Sequence, residues 1–433
     1  MSVSSMKKKS SVRKVFVCNG LLLFMIVCFP ALLPAQEEHA GVLMRTVADS
    51  LLVAGDYNKA LEQYDKIILL HPDSAGAYMY RAEIYIKTKR YDEARKDYDR
   101  VVGLKTNLAE AYENRGLTYL LASKYREALQ DCNKAIELKP GWGLAYQNRG
   151  IVYEKMDDYE NAMKDCEKAI ELIPGEPKVY TCRGNIYRKQ LKIEEALQDF
   201  NKAVEMDPEF SHGYYLRGST YASVNRFKEA IEDFTKAIEL RPDYTLYYSS
   251  RGFTKYKMGN YNSAMKDYRQ AVEIDSVDTY AYYCMGLLYT AKGRDEEAVS
   301  VYSKAIELVP AYAEAYIGRA NIYKNHMQYE EAMKDYNKAI ELKPASYYTY
   351  LARGNAYYKR FKYEEAISDY SKVIELKPDC ADAYFNRALI YHNKGRYEAA
   401  IAQYSKALAL KPDFDRADHN RKLAYEGRKL NNN

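Results

Sequence analysis

Along most of the chain, apolar and small residues fall into two alternating stripes separated by short polar turns. Tyr112, Arg115, Gly116 and Tyr119 follow the i, i+3, i+4, i+7 spacing of one helix face, and Ala128, Cys132 and Ala135 line a second. A turn near Lys124 separates them, and Pro140 stops the second, because proline lacks an N–H and restricts the residue before it. The same pair of stripes returns every 34 residues, marked by Pro72, Thr106, Pro140, Pro174, Pro208, Pro242, Ser276, Pro310, Pro344, Pro378 and Pro412. With Pro72 as position 32, repeat one is 41–74 and repeat eleven is 381–414. Each unit is predicted to be two antiparallel helices of about a dozen residues, roughly 18–20 Å long. A fixed period of this size predicts an all-α stack of identical units that grows in one dimension.

Comparing the copies sorts the positions. Position 20 is Ala in every copy, from Ala60 to Ala400, and position 8 is always Gly or Ala, as at Gly150, Gly252 and Ala320. These small residues set how closely the paired helices approach, since bulk there would cost about 1–3 kcal/mol in overpacking. Positions 4, 11, 17 and 24 hold 34 of the 46 tyrosines, so most of the tyrosine content reads as packing. Position 7 is Arg in nine copies, and in eight of these position 23 is Asp; the two copies without the Arg pair Val47 with Gln63 and Met285 with Val301. Arg and Asp come and go together, which predicts structural ion pairs within one repeat, such as Arg115–Asp131, Arg149–Asp165 and Arg353–Asp369.

The pattern resembles the tetratricopeptide repeat, with Tyr in place of the family's Trp and Arg in place of its Leu in runs such as Asn114-Arg115-Gly116 and Asn148-Arg149-Gly150. The resemblance covers 41–414 and implies a right-handed superhelical α-solenoid of eleven helix-turn-helix units. Asp415 to Leu430 keeps helix character, but Asp418 and Lys422 replace packing residues, as expected of a capping helix within 415–433. The resemblance also implies that the first helices line a concave groove that binds a peptide through positions 2, 5, 9 and 12. In repeats two to five these positions are polar: Glu83, Glu110, Glu113, Gln147, Glu154, Lys178, Asn185 and Arg188. From repeat six they turn apolar: Tyr215, Phe253, Tyr256, Tyr280, Tyr283, Leu287, Ile317, Tyr348, Leu351, Tyr358, Phe385 and Leu389. Exposed apolar side chains along a concavity make a candidate peptide groove, the alternative being that curvature buries them against one another. The family's clamp for acidic chaperone tails needs Lys at position 5 and Arg at position 6. Neither occurs here, and Asn114, Asn148 and Asn185 are isolated matches.

Charge and chemistry change this picture little. Lys7, Lys8, Lys9, Arg13 and Lys14 account for the formal net charge of +5, so the repeats are near neutral and no nucleic-acid partner is expected. That basic stretch precedes an apolar run from Val15 to Leu33 and the small residue Ala35, a pattern that predicts export through a signal peptide spanning 1–35. The repeats would then be periplasmic, in the outer envelope or secreted; the alternative is a retained membrane anchor with the repeats outside the cytoplasm. Cys132 and Cys166 occupy equivalent positions of successive repeats and read as small buried apolar residues, since equivalent residues of stacked repeats lie too far apart for a disulfide. The six histidines are scattered, and no phosphate loop, metal motif or nucleophile elbow occurs. No catalytic residue, metal or cofactor is expected. The expected function is a non-enzymatic scaffold that binds a peptide or subunit of another protein, with self-assembly into an envelope structure as the alternative.

Overall fold

The computed structural model describes residues 46–47, 50–51 and 55–431. The expected export segment, 1–35, lies outside them. The described residues form 22 helices and no strand. In repeat three the first helix is Ala109–Leu121 and the second Tyr125–Leu138, and this 13- and 14-residue plan recurs through repeat eleven.

Local chemistry sets the breaks. Between the two helices the chain reverses at position 15, where φ is positive in every copy. Gly55, Gly259, Gly293 and Gly395 adopt this freely, while Lys89, Ser123, Asp157, Leu191, Asn225, Met327 and Phe361 hold it at φ of 58–62°. A side chain there costs roughly 1–2 kcal/mol, and packing on both sides holds the turn in place nonetheless. Most second helices carry acids in the first turn, such as Glu330 and Glu331 or Glu364 and Glu365, which suit the positive end of the helix dipole. At the other end the Lys377 amide bonds back to Val373 O at 2.7 Å before Pro378 stops the helix.

The core is a file of side chains from position 24, among them fully buried Tyr64, Tyr98, Tyr268, Tyr302, Tyr336, Tyr370 and Tyr404, set against fully buried alanines at position 20. Position 8 passes directly over these rings: a Cβ on Gly252 would lie 2.6 Å from the Tyr268 ring. The described residues fall into two compact units divided between Pro208 and Glu209, so repeats six to eleven lie in the second. Within each unit, from repeat two onward, each first helix packs on its own second helix, which packs on the next first helix. Successive first helices also touch one another, whereas successive second helices have at most marginal contact, so the first helices lie on the inner side of each unit. The final helix, Asp415–Asn431, buries Ala417 and Ala424 against the last repeat and turns Asp418 outward to Lys422 at 2.7 Å.

One expectation is corrected. Cys166 is buried but not unpaired: it forms a disulfide with Cys182, Cα to Cα 6.1 Å. The reason is geometric. Position 24 of one repeat meets position 6 of the next, 16 residues on, as Tyr64 meets Tyr80 with ring centroids 5.9 Å apart. At Cys166 and Cys182 both positions are cysteine. Cys132, Cys284 and Cys380 are buried thiols, and burial pushes Cys132 and Cys284 up to about 12, far from a reactive thiolate.

Candidate functional site: the inner faces of the two units

The arginine column is built into the scaffold. Arg115 donates from Nε and Nη2 to the two Asp131 oxygens, both at 2.7 Å. Arg149 does the same to Asp165 at 2.6 and 2.7 Å, and Arg353 to Asp369 at 2.9 and 2.7 Å. All eight Arg–Asp copies share this fork, while Arg387 donates from Nε and Nη2 to the single Gln403 oxygen. Tyr350 and Tyr357, at positions 4 and 11, both lie 5.7 Å from the Arg353 guanidinium, so tyrosine rings shield the pair from water. Hydrogen bonds to the aspartates hold the Arg115 and Arg149 guanidinium groups firmly charged. With their donors committed inside the stack, these arginines offer no ligand site.

Sequence reasoning missed the third partner. The remaining Nη1 reaches position 25 of the preceding repeat: Arg81 to Asp65, Arg115 to Asp99, Arg251 to Thr235, Arg319 to Ser303 and Arg353 to Asn337, at 2.6–3.0 Å. Each of these five arginines thus joins two repeats. A signal was present in the chain: the one described first helix with Met285 at position 7 comes after Arg269 at position 25, where a second cation would repel the first.

The inner face of the second unit carries most of the aromatic residues expected to line a groove. Tyr215 packs on Tyr247 with centroids 5.4 Å apart, Phe253 on Tyr256 at 6.0 Å, and Tyr283 on Tyr312 at 5.4 Å. Tyr280, Leu287, Ile317 and Leu351 are half-buried, and Tyr348 is 52 % exposed. Burial pushes Tyr283 up to about 12, as expected where water is scarce. Leu351 and Tyr358 lean on the cluster around Tyr370, and Leu389 on the terminal cluster. Phe385 is a correction: it is 2 % exposed, its ring 4.8 Å from Phe414 and 5.9 Å from Tyr404, because the terminal helix and its preceding loop cover it. Tyr244 and Tyr312 belong to this aromatic face but lie in the loops before first helices, outside the helix positions that the repeat pattern marks.

The polar residues expected on the inner face of the first unit are less exposed than their chemistry suggests. Glu113, Gln147 and Glu154 are each at most 9 % exposed. The Asn148 amide donates to Glu113, so an asparagine that matches the family's acid clamp is bound internally. Among the described residues no group of three His, Cys, Asp or Glu could hold a metal ion, and no helix is long and apolar enough to cross a membrane.

An all-α repeat solenoid with structural side chains inside the stack and unassigned side chains along its inner faces is a protein-interaction scaffold. The chain belongs to the tetratricopeptide repeat family. Family models described as tetratricopeptide repeat match residues 47–109, 109–141, 143–176, 177–210, 212–244, 313–346 and 351–413, and one described as TPR repeat matches 254–293 and 286–326. The fold is similar to a chain of the APC/C hetero-tetramer Cut9-Hcn1, at 16 % identity and TM-score 0.50, covering 89 % of this chain and 96 % of that one. It is also similar to yeast Tom70, at 15 % identity and TM-score 0.50, covering 92 % and 97 %. YrrB, described as a TPR protein with an unusual peptide-binding site, is 26 % identical over 44 % of this chain and 99 % of its own, with TM-score 0.37. No curated protein matches the chain by sequence.

Proposed function

We propose that this protein is a non-enzymatic scaffold outside the cytoplasm, which holds a peptide segment of another envelope protein against the inner face of its second unit. The observation that carries this reading is Tyr348, 52 % exposed and on the same inner face as half-buried Tyr283, Leu287 and Ile317. The helix-pair stripe does not require apolar residues there, and a segment laid along them would bury them. Placement outside the cytoplasm is supported by the basic and apolar segments of 1–35 and by the Cys166–Cys182 disulfide, since such bonds persist in oxidising compartments. Leu287→Asp, Ile317→Asp and Tyr348→Asp together are expected to weaken partner capture roughly 30-fold or more while leaving helicity intact. Tyr283 and Leu351 are left unchanged because both pack against core clusters. Undiminished capture by the triple variant would overturn the site. A sedimentation coefficient that rises steadily with concentration would favour self-assembly instead.

A further inference from the structure

The second helix of repeat four, Tyr159–Leu172, and the end of the first helix of repeat five, Pro177–Lys189, leave an open cleft of about 470 Å³ between them. Tyr159, Met163 and Tyr187 supply its apolar lining, and its rim includes the exposed charges of Glu167 and Lys192. Tyr159 and Met163 rest on the buried cluster around Cys166 and Cys182, whose disulfide ties one wall of the cleft to the other. Walls held in place beforehand need no ordering when something binds between them. The other copies explain why this groove is open. Elsewhere a side chain at position 14 crosses it to position 17 or 18 of the repeat before: Lys292 to Asn262 at 2.9 Å, His326 to Asp295 at 2.7 Å, Arg360 to Glu330 at 2.9 Å, and Lys394 to Glu364. In repeat five position 14 is Gln190, and Glu160 turns instead to Lys164 on its own helix at 2.6 Å.

Beside the cleft, on the turn between Gln190 and Lys192, stands an apolar knob. Leu191 is 83 % exposed and holds a φ of 61°. It bears two costs, a strained backbone and an apolar side chain in water, and glycine avoids both at this turn in four other repeats. Met327 and Phe361 are exposed at the same turn position, but His326 and Arg360 cross the grooves beside them. A patch that carries a knob, a cleft and both signs of charge is complementary to itself about a two-fold axis. We propose that two copies of this chain pair here. Each inserts Leu191 into the cleft of the other, and Lys192 of each meets Glu167 of the other. The contact is isologous and closes on itself, so it gives a dimer and not an open array. The cleft lies outside the inner-face positions, and the pairing does not rest on the peptide-holding reading.

Sedimentation equilibrium of the full chain over a range of concentrations tests this. The average mass is expected to climb from monomer and level off at dimer. Leu191→Gly, which installs the residue that other repeats use at this turn, should weaken pairing roughly tenfold while leaving the fold intact. Lys192→Glu and Glu167→Lys should each weaken it by setting like charges opposite one another, and the two together should restore it. Circular dichroism checks that every variant retains wild-type helicity. A wild type that stays monomeric, a mass that climbs past the dimer, or a Leu191→Gly variant that pairs as tightly as the wild type would overturn the proposal. So would attachment of a different protein at Leu191 by a chain that does not pair.

Discussion

Replacing Arg353 by methionine is expected to lower stability by about 3–5 kcal/mol, while Arg353→Met with Asp369→Val recovers most of the loss. The single change leaves Asp369, 3 % exposed, without the fork that now satisfies both its oxygens. Burial already pushes the Asp369 carboxyl up against the pull of Arg353, so removing the cation leaves a buried acid that must take up a proton or draw in water. The double change copies repeat eight, where Met285, itself buried, and half-buried Val301 occupy the two positions within the apolar cluster around Tyr302. Urea denaturation of the four proteins of the cycle measures the coupling, expected at about 2 kcal/mol or more. A single variant as stable as the wild type would mean that the fork is incidental.

Glu113→Gln is expected to stabilise the protein by ~3 kcal/mol at alkaline pH and to leave it unchanged under acid. The direction of the shift sets the sign. Glu113 is raised to about 7 in the folded chain, so its favourable protonated form persists there after the unfolded chain has ionised. Its stabilising contribution is complete below the ordinary glutamate range and is lost as pH rises through about 7. A glutamine stays neutral throughout, and its oxygen still accepts from Asn148. Thermal unfolding of both proteins across pH checks this, and parallel curves would contradict it.

The fold and its internal ties were legible because the chain repeats itself. Eleven aligned copies isolate position 20 as the contact that tolerates only alanine, and they show Arg and Asp varying together. Contacts between repeats were hidden. Arg353 reaches Asn337, and Cys166 meets Cys182, across the boundary between repeats, where no pair of residue types comes and goes together as Arg and Asp do within one repeat. Partners at position 25 range over Asp, Asn, Ser and Thr, because one guanidinium N–H accepts any of these oxygens. Phe385 is covered although its repeat position matches that of open residues, because the terminal helix and its loop pack over the last repeat and no other. Glu113 reads as a solvated charge in sequence, since its burial is set by neighbours one repeat away.

Site-specific photo-crosslinking in intact cells tests the peptide-holding face most directly, with the probe placed in turn at Tyr280, Leu287 and Tyr348 on the inner face and at exposed Lys266 and Lys334 on second helices of the same unit. One protein is expected to be attached from the inner-face positions and not from the two lysine positions. Attachment of the same protein from Lys266 and Lys334 alone would contradict a partner held on the inner face.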